Sequence, residues 1–119
     1  MQAQIPPELQ HKIMQFQELQ ERIKALALRR QQLEIELREV ERTLDELKNV
    51  SDEMPVFKFS GKLLIRVNKE DVVKELSDKK ETLELHIRTL EKQEDHARRR
   101  FEELRQDLSR ALANIQTTE

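Results

Sequence analysis

Apolar residues recur along the first part of the chain at alternating steps of four and three residues. From position 19 the series is Leu19, Ile23, Leu26, Arg30, Leu33, Leu37, Val40, Leu44 and Leu47. Steps of this size place one apolar stripe along a helix and are typical of a coiled-coil seam. Pro6 and Pro7 suit the first turn of such a helix, because the amide hydrogen that proline lacks would have no intrahelical partner there. The pattern predicts a coiled-coil helix over residues 8–48.

A second series with the same steps occupies the other half of the chain. It runs through Val73, Leu76, Lys80, Leu83, Ile87, Leu90, Glu94, Ala97, Phe101, Leu104, Leu108, Ala111 and Ile115. Asn68 can accept a hydrogen bond from the first-turn amides, so we predict a second coiled-coil helix over residues 69–116. The polar members of the two seams, Arg30, Lys80 and Glu94, either fix the register as buried polar residues or extend their charged ends to water.

The segment between the helices breaks the helical period and alternates in the manner of strands. Apolar side chains recur at every second position in Val56-Phe57-Lys58-Phe59 and in Leu63-Leu64-Ile65-Arg66-Val67. Ser60-Gly61 lies between them, and Gly61, the only glycine of the chain, can supply the positive φ that a two-residue turn needs. We therefore predict a β-hairpin over residues 55–67.

A link this short requires the two helices to return along each other. With one apolar seam on each helix, the natural pairing is antiparallel, with Leu47 near Val73 and Leu9 near Ala111. The predicted fold is mainly α. It is a single domain over residues 1–119, in which a long antiparallel two-helix coiled coil carries one β-hairpin between its helices.

The composition limits the functions that the chain can have. Of 119 residues, 39% are charged, 36% hydrophobic and 3% aromatic. This hydrophobic fraction is too low to form the core of a compact globular domain of this length. The 22 basic and 24 acidic residues give a formal charge of −2, so the positive field of a nucleic-acid or membrane binder is missing. We expect protein partners, no nucleic acid and no membrane. The absence of cysteine, of a leader-like start and of a long apolar run predicts a cytoplasmic protein.

No arrangement of residues typical of catalysis or metal binding occurs in the sequence. His11, His86 and His96 are far apart, and a chain with one glycine has no glycine-rich phosphate loop. The basic run Arg98-Arg99-Arg100 is interleaved with acidic residues, so we interpret it as a solvated face rather than a nucleic-acid patch. We expect no enzyme activity, no cofactor and no metal.

The predicted hairpin has more apolar side chains than it can cover by itself. An isolated two-stranded hairpin is marginal in water, and open strand edges allow neighbouring hairpins to join into a sheet or barrel. We therefore predict an oligomer built through the hairpins. The alternative is a hairpin that folds back on its own coiled coil or docks on one unrelated partner. The predicted oligomerisation residues are Val56, Phe57, Phe59, Leu63, Leu64, Ile65 and Val67.

The ends of the two helices that lie farthest from the hairpin in sequence form a second apolar region. Leu9, Ile13 and Phe16 keep the spacing of the seam, but the step from Phe16 to Leu19 is three residues where the alternating series requires four. The register of the seam slips at this point, which loosens the knobs-into-holes packing. Apolar side chains of this tip either turn outward and bind other apolar surfaces or close the coiled-coil core. The predicted binding residues are Ile5, Leu9, Ile13, Met14, Phe16, Leu104, Leu108, Leu112 and Ile115.

The order of helix, single hairpin and helix, together with local motifs, resembles the archaeal beta class of prefoldin subunits. The motifs are Val56-Phe57-Lys58, Gly61, Leu63-Leu64-Ile65-Arg66-Val67, Lys69-Glu70-Asp71, Glu75-Leu76 and Lys80-Glu81-Thr82-Leu83-Glu84. The resemblance spans nearly the whole chain and is most specific around the hairpin and the start of the second helix. The linker with one hairpin is similar to the beta class, because the alpha class carries two.

The resemblance implies an ATP-independent co-chaperone. It implies a heterohexamer of two alpha-class and four beta-class subunits, in which the hairpins form a β-barrel platform. The coiled-coil tips would capture unfolded polypeptides and deliver them to a group II chaperonin. By position, the oligomerisation residues would belong to the platform and the tip residues would grip the client. The rival hypotheses are a passive coiled-coil adaptor that does not bind unfolded chains, and a filament component.

Overall fold

The protein consists of two long helices joined by an antiparallel hairpin, which confirms the predicted fold class. The computed structural model describes residues 5–117. The elements are α1 (Pro7–Lys48), β1 (Val56–Ser60), β2 (Leu63–Val67) and α2 (Lys69–Thr117).

The chain divides into two compact units, each with part of both helices. One unit lies within Met1–Arg30 and Thr89–Glu119, and the other is Gln31–Arg88. The predicted seams supply the core of each unit. The buried apolar residues are Leu9, Ala97, Leu104 and Leu108 in the first unit and Leu33, Val40, Leu47, Leu83 and Ile87 in the second.

The helices pair in the predicted antiparallel direction within each unit. In the first unit, Leu9 and Ala111 line the same surface cavity. In the second, Leu47 and Val73 do so. Each cavity therefore joins a residue near one end of α1 to a residue near the opposite end of α2, as an antiparallel pair requires.

The residues predicted to start the helices do so by hydrogen bonding. The carbonyl oxygen of Pro6 accepts from the Gln10 amide at 3.0 Å, which begins α1. At α2, the Asn68 Oδ1 atom accepts from the Glu70 amide at 3.0 Å, as expected of an N-cap. Lys69 Nζ donates to the Val50 carbonyl at 2.6 Å and so ties the preceding loop to the start of α2.

The turn of the hairpin differs by one residue from the prediction. Ser60 pairs with Leu63 in the strand ladder, so the two-residue turn is Gly61-Lys62 and not Ser60-Gly61. Gly61 has a φ of 61°, and no other residue in the described part of the chain has a positive φ. A positive φ at only the first central position is typical of a type II′ turn, which fits the right-handed twist of the strands.

Candidate interaction surfaces

The hairpin presents two different faces, which its register defines. Phe57 lies opposite Arg66 and Phe59 opposite Leu64, so these four residues share one face, called here the Phe face. The other face, called here the Val face, has Val56, Lys58, Ser60, Leu63, Ile65 and Val67. Apolar residues therefore occur on both faces.

The Val face is the one turned toward the chain's own α2. Lys58 Nζ lies 2.8 Å from Glu75 Oε1 of that helix. Val56 and Val67, which pair at the base of the hairpin, are half-buried. The Phe face consequently points away from α2, and all four of its residues are exposed.

The hairpin does not cover its apolar side chains by folding back on the helices. The exposed fractions are 52% for Phe57, 79% for Phe59, 66% for Leu63, 57% for Leu64 and 43% for Ile65. Only Val56 and Val67 of the predicted oligomerisation residues are partly covered. Exposed apolar side chains concentrated on one short hairpin are typical of a surface that binds another protein.

The predicted tip residues fall into three groups. Buried in the seam are Leu9, Leu104 and Leu108. Half-buried are Ile13, Phe16 and Ile115. Exposed are Ile5 at 42%, Met14 at 58% and Leu112 at 45%. Only the last group offers a large part of its apolar surface to another molecule without rearrangement of the helices.

The register slip near Phe16 is filled by an aromatic pair. The ring of Phe16 stacks on that of Phe101, with centroids 4.4 Å apart and planes 20° apart. Stacked rings are worth about 0.5–1.5 kcal/mol beyond the area they bury. A cavity of about 260 Å³ remains beside the slip, lined in part by Leu19 and Leu104.

The three polar residues of the seams have different surroundings. Arg30 and Glu94 form an ion pair across the seam, with Arg30 Nε 2.5 Å from Glu94 Oε1; the Glu94 side chain is buried and that of Arg30 is partly exposed. Lys80 is half-buried and lines a cavity of about 520 Å³, which is also bordered by Lys48 and Lys69.

Arg98 and Arg100 of the basic run in α2, and Arg105 one and a half turns further on, each pair with a carboxylate of the same helix. Arg98 lies 3.9 Å from Glu94, Arg100 lies 3.2 Å from Glu103, and Arg105 lies 2.6 Å from Glu102. The hydrogen bonds from Arg105 lower the pKa of the Glu102 carboxyl group, and the same pairing raises the pKa of Arg105.

Sequence reasoning missed exposed apolar residues on the outer faces of the helices. Leu28, Ile35 and Leu85 are 58%, 53% and 59% exposed. Each stands two residues after a seam residue, at the heptad position that points farthest from the partner helix. Their place in the heptad is the signal that identifies them.

The part of the chain that the structure describes contains no group of His, Asp or Glu side chains arranged to hold a metal ion. Among the described helices, none combines the length and apolar character needed to cross a membrane.

Comparison with known proteins identifies the family. The family model described as "Prefoldin subunit" matches residues 10–114. The prefoldin subunit beta of Archaeoglobus fulgidus is 44% identical over 93% of this chain and 96% of its own length. That of Methanosarcina acetivorans is 34% identical over 94% and 96% of the two chains.

A solved structure agrees with the sequence comparisons. The prefoldin beta subunit from Thermococcus strain KS-1 matches with a TM-score of 0.83 at 32% identity, over 93% of this chain and 97% of that one. The chain therefore belongs to the prefoldin family as a beta-class subunit, which implies a chaperone-type function in assembly with other prefoldin subunits.

Proposed function

We propose that this chain is a subunit of an ATP-independent co-chaperone that captures unfolded polypeptides and delivers them to a group II chaperonin in the cytoplasm. Two alpha-class and four beta-class subunits form the hexamer, and their hairpins form a β-barrel platform. The observation that carries the proposal is that apolar side chains are exposed both on the hairpin and near the free ends of the helices.

The exposed hairpin supports the platform. Complete burial of a large apolar side chain stabilises an assembly by about 1.5–3 kcal/mol. The residues assigned to this contact are Val56, Phe57, Phe59, Leu63, Leu64, Ile65 and Val67. The antiparallel strands also have open edges to which the strands of a neighbouring hairpin can add.

The exposed residues near the helix ends support client binding. Ile5, Met14 and Leu112 form direct contacts, and half-buried residues such as Ile13 and Ile115 add to them when the ends loosen. So few side chains give a weak contact once the entropy of association is counted. Several tethered tips raise the effective concentration and hold the client, and each contact still breaks quickly without ATP.

The test is suppression of aggregation of a denatured client by the complete hexamer. The triple variant I5S/M14S/L112S removes the exposed tip residues without changing the buried seam. The matched control, L28S/I35S/L85S, removes three side chains of similar exposure elsewhere on the helices. We expect the tip variant to lose suppression and the control to retain it.

Two results would contradict the proposal in different ways. If the control variant loses as much suppression as the tip variant, client binding is not located at the tip. If the unmodified hexamer does not slow aggregation at all, the chain is a passive coiled-coil adaptor. Delivery is tested separately, by transfer of a labelled client from the hexamer to the chaperonin.

A further inference from the structure

We infer that the cavity lined by the end of α1 and the start of α2, called here the base cavity, binds a free α-amino acid with an apolar side chain. The carboxylate of the amino acid pairs with Lys80 and its ammonium group pairs with Glu41, while its side chain covers the apolar floor of the cavity. The inference goes beyond the proposed function and does not depend on client binding.

The base cavity has the size and the mixed lining of a small-molecule site. Its volume is about 520 Å³, and such sites usually measure about 300–1,000 Å³. The floor consists of three seam residues, of which Leu47 is buried and Leu44 and Val73 are half-buried. All the lining residues belong to one compact unit, Gln31–Arg88. The polar members of the lining are Glu41, Asp45, Lys48, Lys69, Ser77 and Lys80.

The two helices bring different polar groups to the base cavity. Glu41 and Asp45 are four residues apart on α1, so their carboxylates share one face of that helix. Ser77 and Lys80 are three residues apart on α2 and share a face in the same way. Lys48 also belongs to α1, and it is exposed and lies 3.6 Å from Asp45. Carboxylates therefore line the α1 side of the cavity, and a hydroxyl and an ammonium group line the α2 side.

Three of these side chains have no partner within the described chain. No hydrogen bond or ion pair joins the side chain of Glu41, Ser77 or Lys80 to another group among residues 5–117. Glu41 and Lys80 are half-buried and do not pair with each other, although both line the base cavity. Lys69, by contrast, is paired with Asp52 at 3.1 Å. Half-buried charges without partners favour a ligand that supplies the opposite charge to each of them.

This arrangement favours a dipolar ligand over simpler ones. A simple anion would be attracted by Lys80 but repelled by Glu41, and a simple cation would meet the reverse. An uncharged apolar molecule would desolvate both charges and pair neither. An amino acid has both charges on one carbon atom, and an apolar side chain can cover the floor. Because the axes of packed helices are about 8–10 Å apart, the long side chains of Glu41 and Lys80 can both reach so small a molecule.

The test is binding of radiolabelled L-leucine to the assembled complex of this chain with its partner prefoldin subunits, measured by equilibrium dialysis. We expect E41Q and K80M each to weaken binding by at least about tenfold, because each removes a charged hydrogen-bonding group. The matched controls are E46Q and K74M, which make the same changes at exposed positions of the same helices, outside the base cavity. We expect each control to change the affinity by less than about twofold.

Analogues of leucine test the same inference on the unmodified chain, so the result does not depend on how a variant folds. Isocaproate lacks the ammonium group of leucine, isoamylamine lacks its carboxylate, and glycine lacks its side chain. We expect each analogue to bind at least about tenfold more weakly than leucine. The NMR signals of the methyl groups of Leu44, Leu47 and Val73 should shift when leucine is added, which locates the site.

Three results would each overturn the inference. One is the absence of leucine binding to the complex. Another is binding of isocaproate or isoamylamine as tight as that of leucine, which would show that the site does not read both charges. The third is an equal loss of affinity in E46Q or K74M, which would show that leucine binds elsewhere. None of these results affects suppression of aggregation, so the proposed function is tested separately.

Discussion

Arg30 of α1 and Glu94 of α2 form an ion pair inside the seam. Arg30 donates through Nε to Glu94 Oε1 at 2.5 Å and through Nη2 to Glu94 Oε2 at 3.4 Å. Glu94 is only 5% exposed, and Arg30 retains 23% of its side-chain exposure. A shift of one helix by a heptad would replace Glu94 with Ile87 or Phe101 at this site and leave Arg30 without its carboxylate.

Removal of one partner of this pair should destabilise the chain. We expect E94A to lower the free energy of unfolding by about 2 kcal/mol. A fully buried pair loses roughly 3–5 kcal/mol when one charge is removed, but Arg30 can still reach water and recover part of this loss. Urea unfolding followed by circular dichroism measures the change.

The control for E94A removes both charges together. R30L/E94L should be as stable as the unmodified chain or more so, because an apolar pair avoids the cost of desolvating two ions. The swapped variant R30E/E94R should recover part of the stability lost in E94A. An E94A variant as stable as the unmodified chain would show that the pair does not stabilise the seam.

Leu104 and Leu112 should respond to the same truncation with very different losses of stability, although both belong to the predicted tip. Leu104 is 1% exposed and Leu112 is 45% exposed. We expect L104A to lower the free energy of unfolding by about 2–5 kcal/mol, because it leaves a cavity in the seam. L112A should change it by less than about 0.5 kcal/mol. Equal losses in the two variants would show that Leu112 also belongs to the core.

The hydrophobic period of the sequence predicts the helices and the core, and the short link between the helices predicts their antiparallel direction. This succeeded because burial in a two-helix seam depends on the spacing of side chains within each helix. Spacing alone places Leu33 and Leu83 in the seam, for example, and both are buried. The N-cap at Asn68 depends only on residues next to it in sequence, so it is predictable for the same reason.

Features that depend on the register between the strands or helices were not predictable. The pairing of Arg30 with Glu94 requires knowledge of which positions of α1 and α2 meet, which the period of one helix does not give. The sequence predicts the turn one residue too early because a glycine is favoured at either central position of a two-residue turn.

Gly61 should be required for the hairpin because of its backbone conformation. A Cβ atom added there would meet no heavy atom within 4 Å, but the φ of 61° is unfavourable for L-residues. We expect G61A to destabilise the hairpin by about 1–2 kcal/mol and to speed hydrogen exchange of the amides of β1 and β2. K62A, at the other turn position, is the control and should leave exchange unchanged. Equal exchange in G61A and the unmodified chain would contradict this prediction.

The Glu102 carboxylate is held in its charged form by Arg105. Arg105 donates from Nε to both carboxylate oxygens, at 3.1 and 3.0 Å, and from Nη2 to Oε1 at 2.6 Å. We expect R105Q to raise the pKa of Glu102 toward its ordinary value, as measured by NMR titration of the side-chain carboxyl carbon. R100Q removes a guanidinium that pairs with Glu103 instead, so it should leave the pKa of Glu102 nearly unchanged.

The same pairing fixes the sign of the pH dependence. The folded-state pKa of Glu102 is lowered, so its contribution to stability is present above the pKa of the unfolded chain and is lost as the pH falls through the folded-state pKa. Any stability difference between R105Q and the unmodified chain should therefore appear at neutral pH and vanish in acid. Because the pair lies in water, salt should reduce this difference. A Glu102 pKa that is identical in R105Q and in the unmodified chain would show that Arg105 does not cause the shift.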